Sequence, residues 1–395
     1  MSERKKEILG KVPQTFREQY FSLFAGPEPE TIHADLYQNL IDEGTDIIIE
    51  HLKAYNVKRK EIMKKCIELV KINAAKCDEK LANTRIVASD AGNNGVDFRS
   101  AFAPLYAATA IVAEGWDILD DPICRACKPD LWSDEFKPED REALLSAKIQ
   151  FDVTRQAITK WKPKYAVIDG TILLNIRLMP GTNPSEAYLK DYDETLESAV
   201  RLIHACWESG VPLVGFVKRT RLNQISSKLG VEKMRDTALL DLILRDGQYT
   251  EPIDVMGGPV VDMYKKKSSE LKVDSNFIDD CLNIYSVYIR TGSNTPFRLE
   301  LPKYALNQLP EICSIVYTTS EEDGIPFAIR EVDGMTKITT TLSDIRTLML
   351  FSKAFDLVKK GEMEPEDMNL LLLQYGETLG LHDEVKGTSA LTGGK

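Results

Sequence analysis

The 395 residues are long enough for one large domain with additions, or for two to three domains. A hydrophobic share of 43% beside 28% charged residues is that of an ordinary soluble globular protein, and seven cysteines scattered over so long a chain do not form a disulfide framework. The net charge of −11 speaks against a protein that coats nucleic acid by charge alone, because such domains are usually basic. Met1 to Glu7 has no apolar segment behind it, so a secretory signal is not expected, and no apolar run is long enough to span a bilayer. A cytoplasmic protein is the expectation.

Residues up to about Lys80 read as helical. Ile47, Ile48, Ile49 and Leu52 mark one segment within Ile41–Lys53, and Ile62, Met63, Cys66, Leu69 and Val70 form an apolar stripe in Arg59–Lys76. Ile86 to Ser89 then opens strand-rich sequence, with Phe98 to Ala113 as its hairpin partner across a turn at Gly92 to Gly95. A long helix runs from Glu135 to Lys162 and is stopped by Pro163. The strand Tyr165–Ile168, a helix over Asp191–Ser209 and a strand over Val211–Val217 follow, an α/β alternation. Glu232–Arg245 reads as helix, while Ile284–Arg290, Phe297–Leu301 and Cys313–Thr318 read as strands. Leu342–Lys360 and Pro365–Leu379 predict a closing helical pair, and the small, polar tail 387–395 predicts disorder. The expected organisation is a helical region 1–80, a central domain 81–345, a helical pair 346–386 and the tail.

Two of these strands end in an aspartate followed by a glycine-containing turn: Asp90-Ala91-Gly92 and Asp169-Gly170-Thr171. A carboxylate beside buried apolar sequence is costly unless something positive faces it. Delivered to the same end of one sheet, the pair makes a seat for a divalent metal such as magnesium or manganese, which favour oxygen ligands. Each also fits a plain turn when taken alone. Cys124 and Cys127 form a lone C-x-x-C without a second pair or a nearby histidine, and read as two reduced thiols in a loop. Lys265-Lys266-Lys267 reads as solvated surface, and His204, among Ile203, Ala205 and Cys206, as a packed residue.

Six segments stand in order along the chain: the Asp90 strand, Val167–Leu173, Val214–Arg221, Asp236–Leu244 with Gly247, Pro296–Pro302 and Gly324–Asp333. Together they resemble the NurA nucleases of archaea and some bacteria. The resemblance implies an α/β, RNase H-like mixed sheet core flanked by helices. It further implies DNA degradation with manganese or magnesium, a homodimer, and work on DNA ends beside a HerA-type hexameric ATPase.

By position, the resemblance makes Asp90 and Asp169 the strand-borne metal ligands. Asp152 stands where the family has a helix-borne acid, usually glutamate, with Glu142 on the same helix as a substitute; Asp152 also fits a solvated face shared with Lys148, Arg155 and Thr159. Ile325 replaces a family tyrosine, and Asp333, eight positions later, completes the carboxylate set or serves as a helix-start or turn aspartate beside Gly334. Lys218 and Arg221, just past a core strand, are placed for phosphate contact or plain surface charge. Asp152 and Ile325 also feed a rival reading, a scaffold subunit that binds the ATPase without cutting DNA.

Overall fold

The structure, a computed structural model, describes residues 44–364 and Asp367, apart from 99, 133–136, 231–233, 255–257 and 293–294. The chain divides into two compact units between Lys64 and Lys65. The described part of the first, residues 44–64, lies in one continuous helix, α1 (Gly44–Leu69), without the expected break after Lys53.

The second unit is built on an eleven-stranded mixed sheet. Its centre begins with the hairpin of β2 (Arg85–Asn93) and β5 (Tyr106–Glu114), preceded by β1 (Ile72–Ala74). Between them β3 (Val96–Asp97) and β4 (Phe102–Ala103) pair in a small sheet of their own. After β6 (Asp117–Ile118) and β7 (Ile123–Ala126), which both pair with the edge of β5 away from β2, come β8 (Tyr165–Asp169) and β9 (Leu213–Val217). The order is completed by β10 (Gln248–Thr250), β11 (Ile253–Asp254), β12 (Ile284–Ile289) and β13 (Phe297–Pro302). The helix α2 (Pro138–Trp161) leads into β8, and α3 (Glu186–Glu208) connects β8 to β9. Later in the chain lie α4 (Leu309–Thr318), α5 (Phe327–Thr336) and α6 (Thr340–Lys360).

Strands β2, β8 and β9 are parallel, while β5 pairs antiparallel with β2 and β13 antiparallel with β9. A hairpin followed by two parallel strands reached through helices is the RNase H-like arrangement expected from the sequence. Side chains alternate across a strand with a period of two, so each strand feeds two cores. On one face Val87, Ala108, Ala110 and Val112 meet Val153, Ala157 and Trp161 of α2. On the other, Ile86, Ala88, Tyr165, Val167, Val214 and Phe216 meet Ile312 and Ile315 of α4 and Ile329 and Val332 of α5. Each buried aliphatic chain contributes roughly 1.5–3 kcal/mol, and slipping β2 by one residue would swap the two sets. That alternation decides which way Asp90 points.

The differences from sequence expectation have physical causes. Ile72–Ala74 is a strand because it pairs with β10 through Ile72↔Thr250 to Ala74↔Gln248, a partner more than 170 residues away. Cys313–Thr318 is helical: Pro310 sits in the first turn, and Ile312, Cys313, Ile315 and Val316 are all buried at helical spacing. Its β-branched composition mimics a strand. Of Glu232–Arg245, whose first two residues lie outside the described ones, the helix holds Asp236–Leu240, and its N-terminal Asp236 is fully buried and accepts from the amides of Gln224, Ile225 and Ser226. Pro365–Leu379 and the tail lie outside the described residues, apart from Asp367.

Candidate metal centre

The register of the parallel strands builds the site. Ser89 of β2 pairs with Ile168 of β8, so the next step along both strands sets Asp90 beside Asp169. Asp169 pairs in turn with Phe216 of β9. Lys218 follows two residues later and therefore points to the same face. The helix α5 packs across that face and brings Asp333. Ligand oxygens of Asp90, Asp169 and Asp333 all lie within 4.8 Å of one another. The Lys218 ammonium sits among them, 2.7 Å from Asp169 Oδ2 and 2.5 Å from Asp333 Oδ1.

Small residues allow this approach. A Cβ at Gly92 would stand 2.4 Å from the carbonyl oxygen of Thr336, so α5 can lie on β2 only because position 92 has no side chain. Gly92 is part of β2, not of a turn, and Asp90 is inside the strand. Thr336, at the end of α5, donates its hydroxyl to Asp90 Oδ2 at 2.8 Å, while Oδ1 accepts from the Ala91 amide. After Asp169 the chain turns at Gly170, whose φ of +116° suits glycine. The buried Glu300 accepts from the Ile172 amide at 2.9 Å and pairs with Arg298, fixing the loop behind Asp169. From the opposite face Gln150 of α2 donates to the carbonyls of both Ser89 and Asp169, tying the two ligand-bearing strands together.

Burial sets the electrostatics. Removal from water, then the neighbouring Asp90, pushes the Asp169 carboxyl up to about 7, against the opposing pull of Lys218. Asp90 is also raised, again by burial first, although Thr336 and the Ala91 amide stabilise its charge. Burial works to lower the Lys218 ammonium, yet Asp169 and Asp333 outweigh it and hold it above the usual lysine range. Three carboxylates crowded this closely, with hard oxygen donors and no histidine or cysteine in the group, fit a divalent cation of the magnesium or manganese kind.

The structure thus brings together Asp90, Asp169 and Asp333 and sets Lys218 between them, deeper than the rim position expected for a phosphate contact. Asp152 is not among them. Its helix covers the other face of the sheet, and its carboxylate pairs with Arg125 of β7 at 3.5 Å. Glu142 is buried, accepting from Asn93, Gly95 and Leu105, and clasps the ends of the β2–β5 hairpin. Arg221 stands exposed on the loop beyond β9, Ile325 borders the core under α4 and α5, and Asp333 lies well inside α5 rather than at its start.

Elsewhere, Cys124 and Cys127 are free thiols at the sheet edge on and just after β7. Lys267 is buried and pairs with Asp193 and Glu270, unlike the solvated surface expected for its triplet. His204 lies against Trp207 and Phe277. Thr336 and Gln150 escaped the sequence reading. Thr336 sits one helical turn after Asp333, and Gln150 is a polar residue on the stripe that α2 buries, which are the signals that mark them.

No helix among the described residues is long and apolar enough to cross a membrane. No curated protein sequence matches the chain significantly. Among solved structures, the NurA nuclease from Sulfolobus solfataricus aligns with a TM-score of 0.60 at 14% identity, covering 82% of this chain and 98% of that one. A NurA crystallised with dAMP and manganese aligns with a TM-score of 0.52 at 12% identity, covering 77% and 94%. The sequence model of the NurA domain matches residues 85–338, well over half of the chain, and spans every residue of the acidic centre. The chain belongs to the NurA family of nucleases.

Proposed function

We propose that the protein is a metal-dependent deoxyribonuclease that hydrolyses phosphodiester bonds at DNA ends. The observation that carries this reading is the meeting of Asp90 in β2, Asp169 at the end of β8 and Asp333 on α5, with ligand oxygens within 4.8 Å of one another. A bound magnesium or manganese ion would supply Lewis-acid polarisation of a phosphate and an activated water. Asp90, Asp169 and Asp333 would hold it. Thr336 holds the Asp90 carboxylate, Gln150 holds the backbone carbonyl of Asp169, and Lys218 sets a positive charge beside the acids where a phosphate would approach. Water would be the nucleophile, so no side chain need form a covalent bond. The dAMP and manganese in a related NurA structure support both the ion and a nucleotide product.

Family membership also supports a homodimer working with a HerA-type hexameric ATPase, for which the regions 1–80 and 346–386, flanking the catalytic domain, are the candidate contact surfaces. The test is degradation of single-stranded DNA, duplex DNA and RNA across a panel of metals, with and without that ATPase and with a chelator. DNA loss that requires manganese or magnesium is expected. Equal activity in chelator, or activity confined to RNA, would reject the proposal.

A second reading, a scaffold subunit weakened in catalysis, draws on α2. There an amide, Gln150, faces the ligand strands, and Asp152 is engaged by Arg125. Binding of the ATPase with no metal-dependent cleavage of any substrate would favour it.

A further inference from the structure

Resting on the proposed metal site, the geometry points to Lys218 as a built-in cation that limits this centre to a single divalent ion. Two oxygens of the carboxylate set are already occupied, Asp169 Oδ2 and Asp333 Oδ1, each by the same ammonium. One oxygen of each of these acids remains for an ion. Asp90 adds its own carboxylate, whose oxygens already accept from Ala91 and Thr336. That is a donor set for one ion completed by water and phosphate.

Charge agrees with the count of oxygens. Three carboxylates and one ammonium leave about −2 at the site, which a single dication balances. A second dication would have to share Asp169 with Lys218 and lie within a few ångströms of its positive charge. No compensating acid comes from α2, since Gln150 is uncharged and Asp152 is turned to Arg125. Lys218 is also held from two independent elements, β8 through Asp169 and α5 through Asp333, so it is part of the centre and not a passing surface chain.

Manganese binding to the full-length protein, followed by calorimetry and by the electron paramagnetic resonance signal of free manganese, tests this without reference to cleavage. Wild type is expected to bind one manganese per chain. Lys218→Met, which keeps the bulk and removes the charge, is expected to take up a second ion, while Lys218→Arg stays at one. Two ions on wild type would overturn the assignment, and that measurement needs no variant to fold. A Lys218→Met protein that still binds a single ion would overturn it equally. Binding of none by both proteins is the separate result that removes the metal site itself, and the Lys218 assignment with it.

Discussion

Helices α2 and α5 lie on opposite faces of the same sheet and do opposite work. α2 is long, follows closely on the hairpin it covers, and makes the packing one expects of its position, with Val153, Ala157 and Trp161 against β2 and β5. Its polar residues serve the scaffold: Glu142 clasps the hairpin ends and Gln150 bridges two strands. α5 has only ten residues and comes more than 230 positions after β2, yet it supplies an acid of the centre and the hydroxyl that holds Asp90. Proximity in sequence decides which helix supports the strands; strand parity and a bare glycine decide which helix brings an acid to Asp90 and Asp169.

The largest test of this contrast compares acids on the two faces. Asp90→Ala and Asp169→Ala are each expected to lower manganese-dependent DNA degradation by at least about 100-fold, the order seen when a group stabilising transition-state charge is removed. Circular dichroism should show the fold retained. If both variants kept wild-type rates, the centre would be misassigned.

A smaller effect is expected at the contact between α5 and β2. Gly92→Ala forces a Cβ against the Thr336 carbonyl, so α5 must lift. Overpacking of this kind costs about 1–3 kcal/mol, and thermal unfolding should show it together with weakened manganese binding. An unchanged melting temperature would mean that α5 does not depend on this approach.

The pH response of metal-free protein is the next test. Folding raises the Asp169 carboxyl from 3.8 to about 7, so between those values the folded chain binds its proton more tightly than the unfolded chain does. Stability from this group is therefore present at low pH and lost as pH rises through about 7, at a limiting slope of about 1.4 kcal/mol per pH unit. Asp169→Asn removes that loss. It should melt above wild type at pH 8 in chelator and lose the advantage near pH 4; equal melting curves at both pH values would remove the idea of a strained carboxylate.

The smallest effect is expected from α2. Asp152→Ala breaks a half-exposed ion pair with Arg125, worth about 0–1 kcal/mol. Cleavage should stay within about fivefold of wild type under the same conditions, the factor to which that ceiling of energy corresponds. A loss comparable to that of Asp169→Ala would return Asp152 to the metal.

Much of the core was legible because it rests on local pattern. The apolar runs before Asp90 and Asp169, the helix stopped by Pro163 and the α/β alternation all depend on neighbours in sequence. What escaped depends on distant partners. Ile72–Ala74 becomes a strand only through β10, and Lys218 becomes part of the centre only because α5 folds over it. The family resemblance puts a helix-borne acid on α2 at Asp152, whereas the acid that joins Asp90 and Asp169 comes from α5. Gln150 showed on the buried stripe of that helix as a polar residue, but its two carbonyl partners lie on separate strands and no spacing reveals them.

The close seat of α5 on Gly92 has a consequence for the life of the chain. The sheet strands that carry Asp90, Asp169 and Lys218 all precede residue 302, but Asp333 and Thr336 are made much later. A chain that has not yet made α4 and α5 can pair its strands and cover one face with α2, but the face that carries the acids stays open. The acidic group is therefore completed only once α5, which follows every strand of the sheet, has been made.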